Sequence, residues 1–201
     1  MQSKTSYFNK TIFCKDITRF WPWWSLEAVI LLILCPVSIG LGWAGLARSS
    51  RLGVVMTRQY IYATKIGSIV TRCNILSSPL LYVFLGVAAA LLVFRYLYIS
   101  RDAYMIHSLP VSRTCLFFSH ALAGLVILMA PVVLAFLVLT GMMAAVEPAL
   151  AGSVLICMLQ AVFQMLFFYG LACLVVMLSG NSGLVCLIYA VINFLFTGVS
   201  S

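Results

Sequence analysis

Acid–base or metal chemistry in this chain would have to come from four carboxylates, Asp16, Glu27, Asp102 and Glu147, and two histidines, His107 and His120. General acid–base catalysis needs two such groups converging on one bond, and a metal site needs three or four ligands at a recurring spacing. Neither follows here. The carboxylates are too far apart in sequence for spacing to pair them, and neither histidine belongs to an HExxH-like pattern. His120 reads instead as a residue near a helix start, hydrogen-bonded locally. The seven cysteines, Cys14, Cys35, Cys73, Cys115, Cys157, Cys173 and Cys186, include no CxxC pair and no Cys/His ligand spacing, and most fall within apolar runs. They read as small buried hydrophobes rather than a disulfide or zinc framework. There is no phosphate-cradling glycine loop. The expectation is therefore a chain with no catalytic residue, no metal and no cofactor, which does not itself hydrolyse ATP.

The remaining polar residues point to binding and packing. An ionisable group at mid-membrane costs about 2.5–3.5 kcal/mol on insertion scales, so each one in an apolar run calls for a partner. Glu27 opens the first apolar run and Arg95 nearly closes the second. If those runs are antiparallel spans, the two charges share one depth. A Glu27–Arg95 ion pair is one outcome; separate snorkelling to the headgroups is the other. Gln160 and Gln164 stand one helical turn apart in the fourth run, and Asn193 is the only amide of the fifth. These amides are expected to face a bundle interior, as packing contacts or as the lining of a polar spot in a pathway. Counted from the turn between the runs, Gln164 and Asn193 differ in depth by about 7 Å, which disfavours a direct bond between untilted helices.

Such residues must be positioned by helices in a membrane. The chain has 201 residues, 64% hydrophobic and 8% charged, whereas an ordinary soluble domain is about half apolar and a quarter charged. The fold class expected is all-α: a polytopic membrane protein with an N-terminal interfacial helix and about five transmembrane helices. The net charge of +8 is no nucleic-acid footprint, because the basic residues flank apolar runs instead of covering a polar domain. The lipid bilayer, with its anionic headgroups, is the partner implied. Residues 1–25 form an interfacial segment in which Lys10, Lys15 and Arg19 stand among Phe8, Ile12, Phe13, Ile17 and Phe20. Trp21, Trp23 and Trp24 follow as an aromatic belt, with Pro22 as the elbow. No cleavable signal peptide is expected, since the first apolar run begins only after this stretch.

Residues 26–201 form the transmembrane domain, with spans expected over 26–46, 79–99, 116–140, 154–178 and the short run 184–199. Pro36, with Gly40, Gly42 and Gly45, is expected to kink the first span, a partner helix satisfying the freed backbone. In the basic stretch 47–78, Arg51, Arg58, Lys65 and Arg72 recur every seven residues, a slowly drifting stripe on a helix. It reads as an interfacial or loosely helical loop. The string SGNSG, 179–183, allows only a tight turn, which makes the fourth and fifth spans antiparallel neighbours. With the N-terminus cytoplasmic, Lys4, Lys10, Lys15, Arg19, Arg95, Arg101 and Arg113 lie inside and Arg48, Arg51, Arg58, Lys65 and Arg72 outside. Seven against five favours that orientation.

Polar residues concentrate in the central loop 100–115, where Arg101, Asp102, His107 and Arg113 cluster and Pro110 ends any helix running down from Asp102. Tyr104, Met105 and Leu109 would share one side of a short amphipathic segment over 101–109. By residues alone it is either a connector holding two spans in register or a docking element for a soluble partner. A short helix leading into LPVSR between the second and third spans resembles the intracellular connection of ABC-2 type transporter permeases. NKTIFCKDITRFWPWW is similar to their amphipathic N-terminal segment, and MLSGNSGLVCLIYAVINFL to a later tight helical hairpin. The resemblance implies a permease subunit of an ATP-driven exporter in a bacterial plasma membrane, paired with a second permease subunit as a homo- or heterodimer. It also implies an ATP-binding cassette ATPase docked through Arg101, Asp102, Tyr104, His107, Pro110 and Arg113. Such permeases have at least six spans, so this chain is expected to be a truncated or split copy. The alternative is a small solute-binding or accessory membrane protein without a cassette partner. An intramembrane enzyme is disfavoured by the missing catalytic cluster.

Overall fold

The computed structural model describes residues 10–51, 57–95, 98, 112–179 and 181–199, and the regular elements among them are all helical. Helix α1 (Lys10–Arg19) ends in a turn at Phe20, and α2 (Trp21–Leu32) begins with Pro22 in its first turn, where a missing N–H sacrifices no intrahelical bond. The expected elbow is therefore a helix break just ahead of the proline. A wide helical turn, Ile33–Val37, contains Pro36 and leads into α3 (Ser38–Arg51). Proline has no N–H to offer the carbonyl four residues back. The helix widens in response: Ser38 N–H donates to Ile33 O, five residues back, and the Ser38 hydroxyl donates to Leu34 O at 2.6 Å. Local bonds within the helix thus serve the carbonyls of Ile33 and Leu34.

The stretch expected as a basic loop contains α4 (Arg58–Leu76), a regular helix of 19 residues. Its buried residues, Ile69, Cys73 and Leu76, are spaced as one helical stripe. Helix α5 (Pro79–Val93) follows after a two-residue break. With 15 residues, α5 extends only about 22 Å, short of the roughly 30 Å of hydrocarbon. It stops at Val93, whereas hydropathy extends the span to residue 99. Helix α6 (Arg113–Val146) is 34 residues long and continues through Pro131. Its buried residues recur every four positions, from Cys115 and Leu116 through Ser119 and His120 to Ala135 and Phe136.

A short turn, Pro148–Leu150, precedes α7 (Ala151–Leu178), and α8 (Ser182–Val199) follows the SGNSG string. Asn181 caps α8: its side-chain Oδ1 accepts from Gly183 N–H at 3.2 Å and its carbonyl from Val185 N–H at 3.1 Å. The Tyr189 hydroxyl donates to Phe168 O at 3.3 Å, joining α8 to α7 as the expected tight hairpin. The protein is all-helical with 3 to 4 candidate membrane-spanning helices. Trp21–Ser49, Arg113–Val146 and Pro148–Leu178 are each long and apolar enough to cross a bilayer, and the α4–α5 pair makes a fourth when taken as one span.

The chain divides into two units. Unit 1 comprises Met1–Pro22, Pro79–Leu128 and Gln164–Ser201, with Tyr82, Phe94, Met165, Val176 and Val185 in its core. Within it α5 and α7 touch backbone to backbone. A Cβ on Gly86 would lie 3.2 Å from Phe168 C and Tyr169 N, closer than most Cβ contacts, so the glycine eases the approach of the two backbones. Unit 2 comprises Trp23–Ser78 and Met129–Phe163, around Cys35, Ile69, Val132, Phe136, Leu139 and Met143.

Candidate functional site

Unit 1 gathers its polar side chains around the first turns of α6. Ser112 starts that helix: its hydroxyl accepts from Cys115 N–H at 3.3 Å and its carbonyl from Leu116 N–H at 3.0 Å. That is N-cap geometry, so the serine of LPVSR sets where α6 begins and leaves Arg113 as its exposed first residue. One turn on, the Ser119 hydroxyl donates to Cys115 O at 2.7 Å. His120 then reaches out of the helix, and its Nδ1 is hydrogen-bonded to Asp16 Oδ2 of α1. The two side chains are only 9% and 8% exposed. Asp16 is the buried residue of α1, and it shares a face with half-buried Ile12, Phe13 and Ile17. A carboxylate on that face is tolerable because it is bonded to His120; stripping away His120 would leave Asp16 buried without that bond.

The next layer is held by Tyr169 of α7, whose hydroxyl donates to Ala121 O at 2.9 Å. It sits where a Cβ on Gly124 would be, with Val93 Cγ2 2.9 Å from that same point. Helices α5, α6 and α7 therefore meet on one glycine. At the end of α5, the rings of Phe94 and Phe117 stack with centroids 5.5 Å apart. Phe94 and Phe117, which lie on either side of 95–112 in the sequence, are thus in direct contact within unit 1. Tyr98, within that segment, donates its hydroxyl to Val176 O at 3.2 Å. Partial burial, with the Cys186 thiol nearby, pushes its pKa above the ordinary tyrosine value and keeps it a donor.

Of the docking residues read from the sequence, Arg101, Asp102, Tyr104, His107 and Pro110 lie outside the described residues, and Arg113 is exposed at the head of α6. Arg95 is exposed in unit 1; Glu27 belongs to unit 2, where its Oε1 is buried without a hydrogen-bond partner. Among the amides, Gln160 is exposed, and Gln164 has a buried Oε1 with no partner. Asn193 Nδ2 donates to Tyr189 O within its own helix, at 2.8 Å. Gln164 Oε1 thus accepts nothing from Asn193, in line with their difference in depth. All seven cysteines are free: Cys35, Cys73, Cys115 and Cys173 are buried, Cys157 is half-buried, and Cys14 and Cys186 are exposed. Among the described residues no group of three His, Cys, Asp or Glu side chains could hold a metal ion.

Two long-range pairs escaped the sequence reading. His120 is bonded to a residue 104 positions away, and the Tyr62 hydroxyl is bonded to Glu147 Oε2, 85 positions away. The signal for the first was present: Asp16 falls on the apolar face of the N-terminal helix, where an unpartnered carboxylate would be costly. Comparison with protein families, curated proteins and solved structures finds no match to this chain.

Proposed function

We propose that this chain is a transmembrane permease subunit of an ATP-driven ABC exporter of the ABC-2 type, docking a separate ATP-binding cassette ATPase through the segment 100–115. The observation that supports the reading is the Phe94–Phe117 stack, which joins the described helices before and after that segment. A polar stretch of this length between exposed Arg95 and Arg113 is suited to meeting a soluble partner. In this reading Arg101, Asp102, His107 and Arg113 orient the ATPase, Tyr104 fills a groove, and Pro110 shapes the loop. Motion of the segment would be transmitted through the Ser112 cap into α6, and through the His120–Asp16 bond into α1. Five crossings are proposed: α2–α3, the α4–α5 pair, α6, α7 and α8. The N-terminus is cytoplasmic in a bacterial plasma membrane, and a second permease subunit completes the assembly.

The test is purification of the full chain from its native membrane in mild detergent, with cysteine introduced at Ala103 or Ile106. A stoichiometric ATPase that cross-links to those positions is the expected result. Labelling of the same cysteines by an impermeant reagent added outside intact cells would refute both the orientation and the docking.

A further inference from the structure

The start of α4 and the end of α6, both in unit 2, border an open cleft of about 410 Å³ lined by Arg58, Ile61, Tyr62, Lys65, Ala145 and Val146. Arg58, Tyr62 and Lys65 are three and four residues apart, so one face of α4 presents a guanidinium, a phenol and an ammonium to it. Lys65 Nζ lies 5.2 Å from the centre of the Trp43 ring, and Trp43 Nε1 donates to Ser68 Oγ at 3.1 Å, which holds the indole in place beneath the ammonium. Ile61, Ala145 and Val146 supply apolar lining. The cleft therefore offers cations and hydrocarbon side by side.

Its charge balance selects a ligand class. Arg58 and Lys65 bring two positive charges, and Thr57 makes no side-chain cap, so the positive end of the α4 dipole adds to them. Against these stand the negative end of the α6 dipole and Glu147, whose carboxylate accepts from Tyr62. Among the described residues the remainder is about one positive charge, which a monoanion neutralises and a dianion overshoots. The cleft lies where α4 begins and α6 ends, at the termini of long apolar helices, the place where acyl chains give way to headgroups. We propose that it is a binding site for a singly charged phosphate diester at the membrane surface. This goes beyond the permease reading and does not depend on it.

The test uses the purified full chain in neutral detergent, titrated with dioctanoyl phosphatidylglycerol and with dioctanoylglycerol, which has the same tails and no phosphate, with bound lipid counted by native mass spectrometry. The phosphatidylglycerol should bind at least tenfold more tightly. Each cation near a membrane surface contributes about a fivefold factor, so R58Q should weaken it about fivefold and R58Q/K65Q about thirtyfold, while R58K/K65R stays near the wild type. Glu147→Gln removes the opposing charge and should tighten binding. Displacement by millimolar dimethyl phosphate would assign the diester to a water-borne ligand, and failure of displacement would assign it to a lipid. Equal binding of the two lipids, full affinity in R58Q, or a loss in R58K/K65R as large as in R58Q/K65Q would overturn the proposal. Elution of each variant as folded protein on gel filtration, together with the exposed single variant R58Q, separates loss of the site from loss of the fold.

Discussion

Replacing Gly124 by alanine asks one methyl group to enter the volume of the Tyr169 hydroxyl. The new Cβ would also stand 2.9 Å from Val93 Cγ2 and 3.1 Å from Tyr169 Cζ. Overpacking of this kind costs about 1–3 kcal/mol. The displaced hydroxyl would in addition give up Ala121 O, which it meets at 2.9 Å; interhelical hydrogen bonds in membranes average about 0.6 kcal/mol. G124A should therefore destabilise unit 1 by about 2–3 kcal/mol, and Tyr169→Phe alone by less than about 1 kcal/mol. In the Y169F background the colliding oxygen is gone, so the same methyl should cost about 1 kcal/mol, the low end of overpacking. The expected coupling of about 1–2 kcal/mol exceeds the roughly 0.5 kcal/mol scatter of independent sites. Equilibrium unfolding in mixed detergent and dodecyl sulfate, followed by far-UV circular dichroism for the four proteins of the cycle, measures it directly. Additivity within that scatter would show that the glycine is not what seats the tyrosine.

Breaking the buried pair should be asymmetric: H120A should cost about 1–3 kcal/mol and D16A less, and the double variant less than H120A, because the buried carboxylate that H120A strands is then gone. Protease resistance of α1 in detergent reports this, and a double variant worse than both singles would contradict it. Gln164→Leu should leave assembly intact or strengthen it by about 1 kcal/mol, since its buried Oε1 forms no hydrogen bond to lose. Thermal stability in detergent is the check, and a marked fall would mean that the amide has a partner in the membrane-embedded protein.

Hydropathy made the helical class and the approximate depth of each residue legible, because burial of apolar side chains in lipid depends on run length. It did not give azimuth. That is why α4, with a charge every seventh residue, reads as a loop, although the three buried residues Ile69, Cys73 and Leu76 make it a packed helix. It is also why Asp16 and His120, which lie on separate amphipathic or apolar segments, were not paired: their meeting depends on which side each helix turns inward. Local chemistry was the more readable part. Pro22 and the SGNSG string break helices where their backbone preferences require, and Ser112, the last residue before α6, caps it with its own side chain.

The wide turn at Ile33–Val37 has an effect two turns further along. At about 100° per residue, an unbroken α-helix would carry Trp43 about 120° round from Leu31. A turn closed five residues back takes up close to one extra residue and cancels about 100° of that rotation. Leu31, Cys35, Ile39 and Trp43 consequently fall near a single line along the helix, the first three buried and the last bonded to Ser68 on α4. Pro36 thereby acts as a phase correction: it keeps a strictly four-residue pattern from spiralling away from its neighbour, and the indole that supports Lys65 owes its heading to a proline seven residues before it.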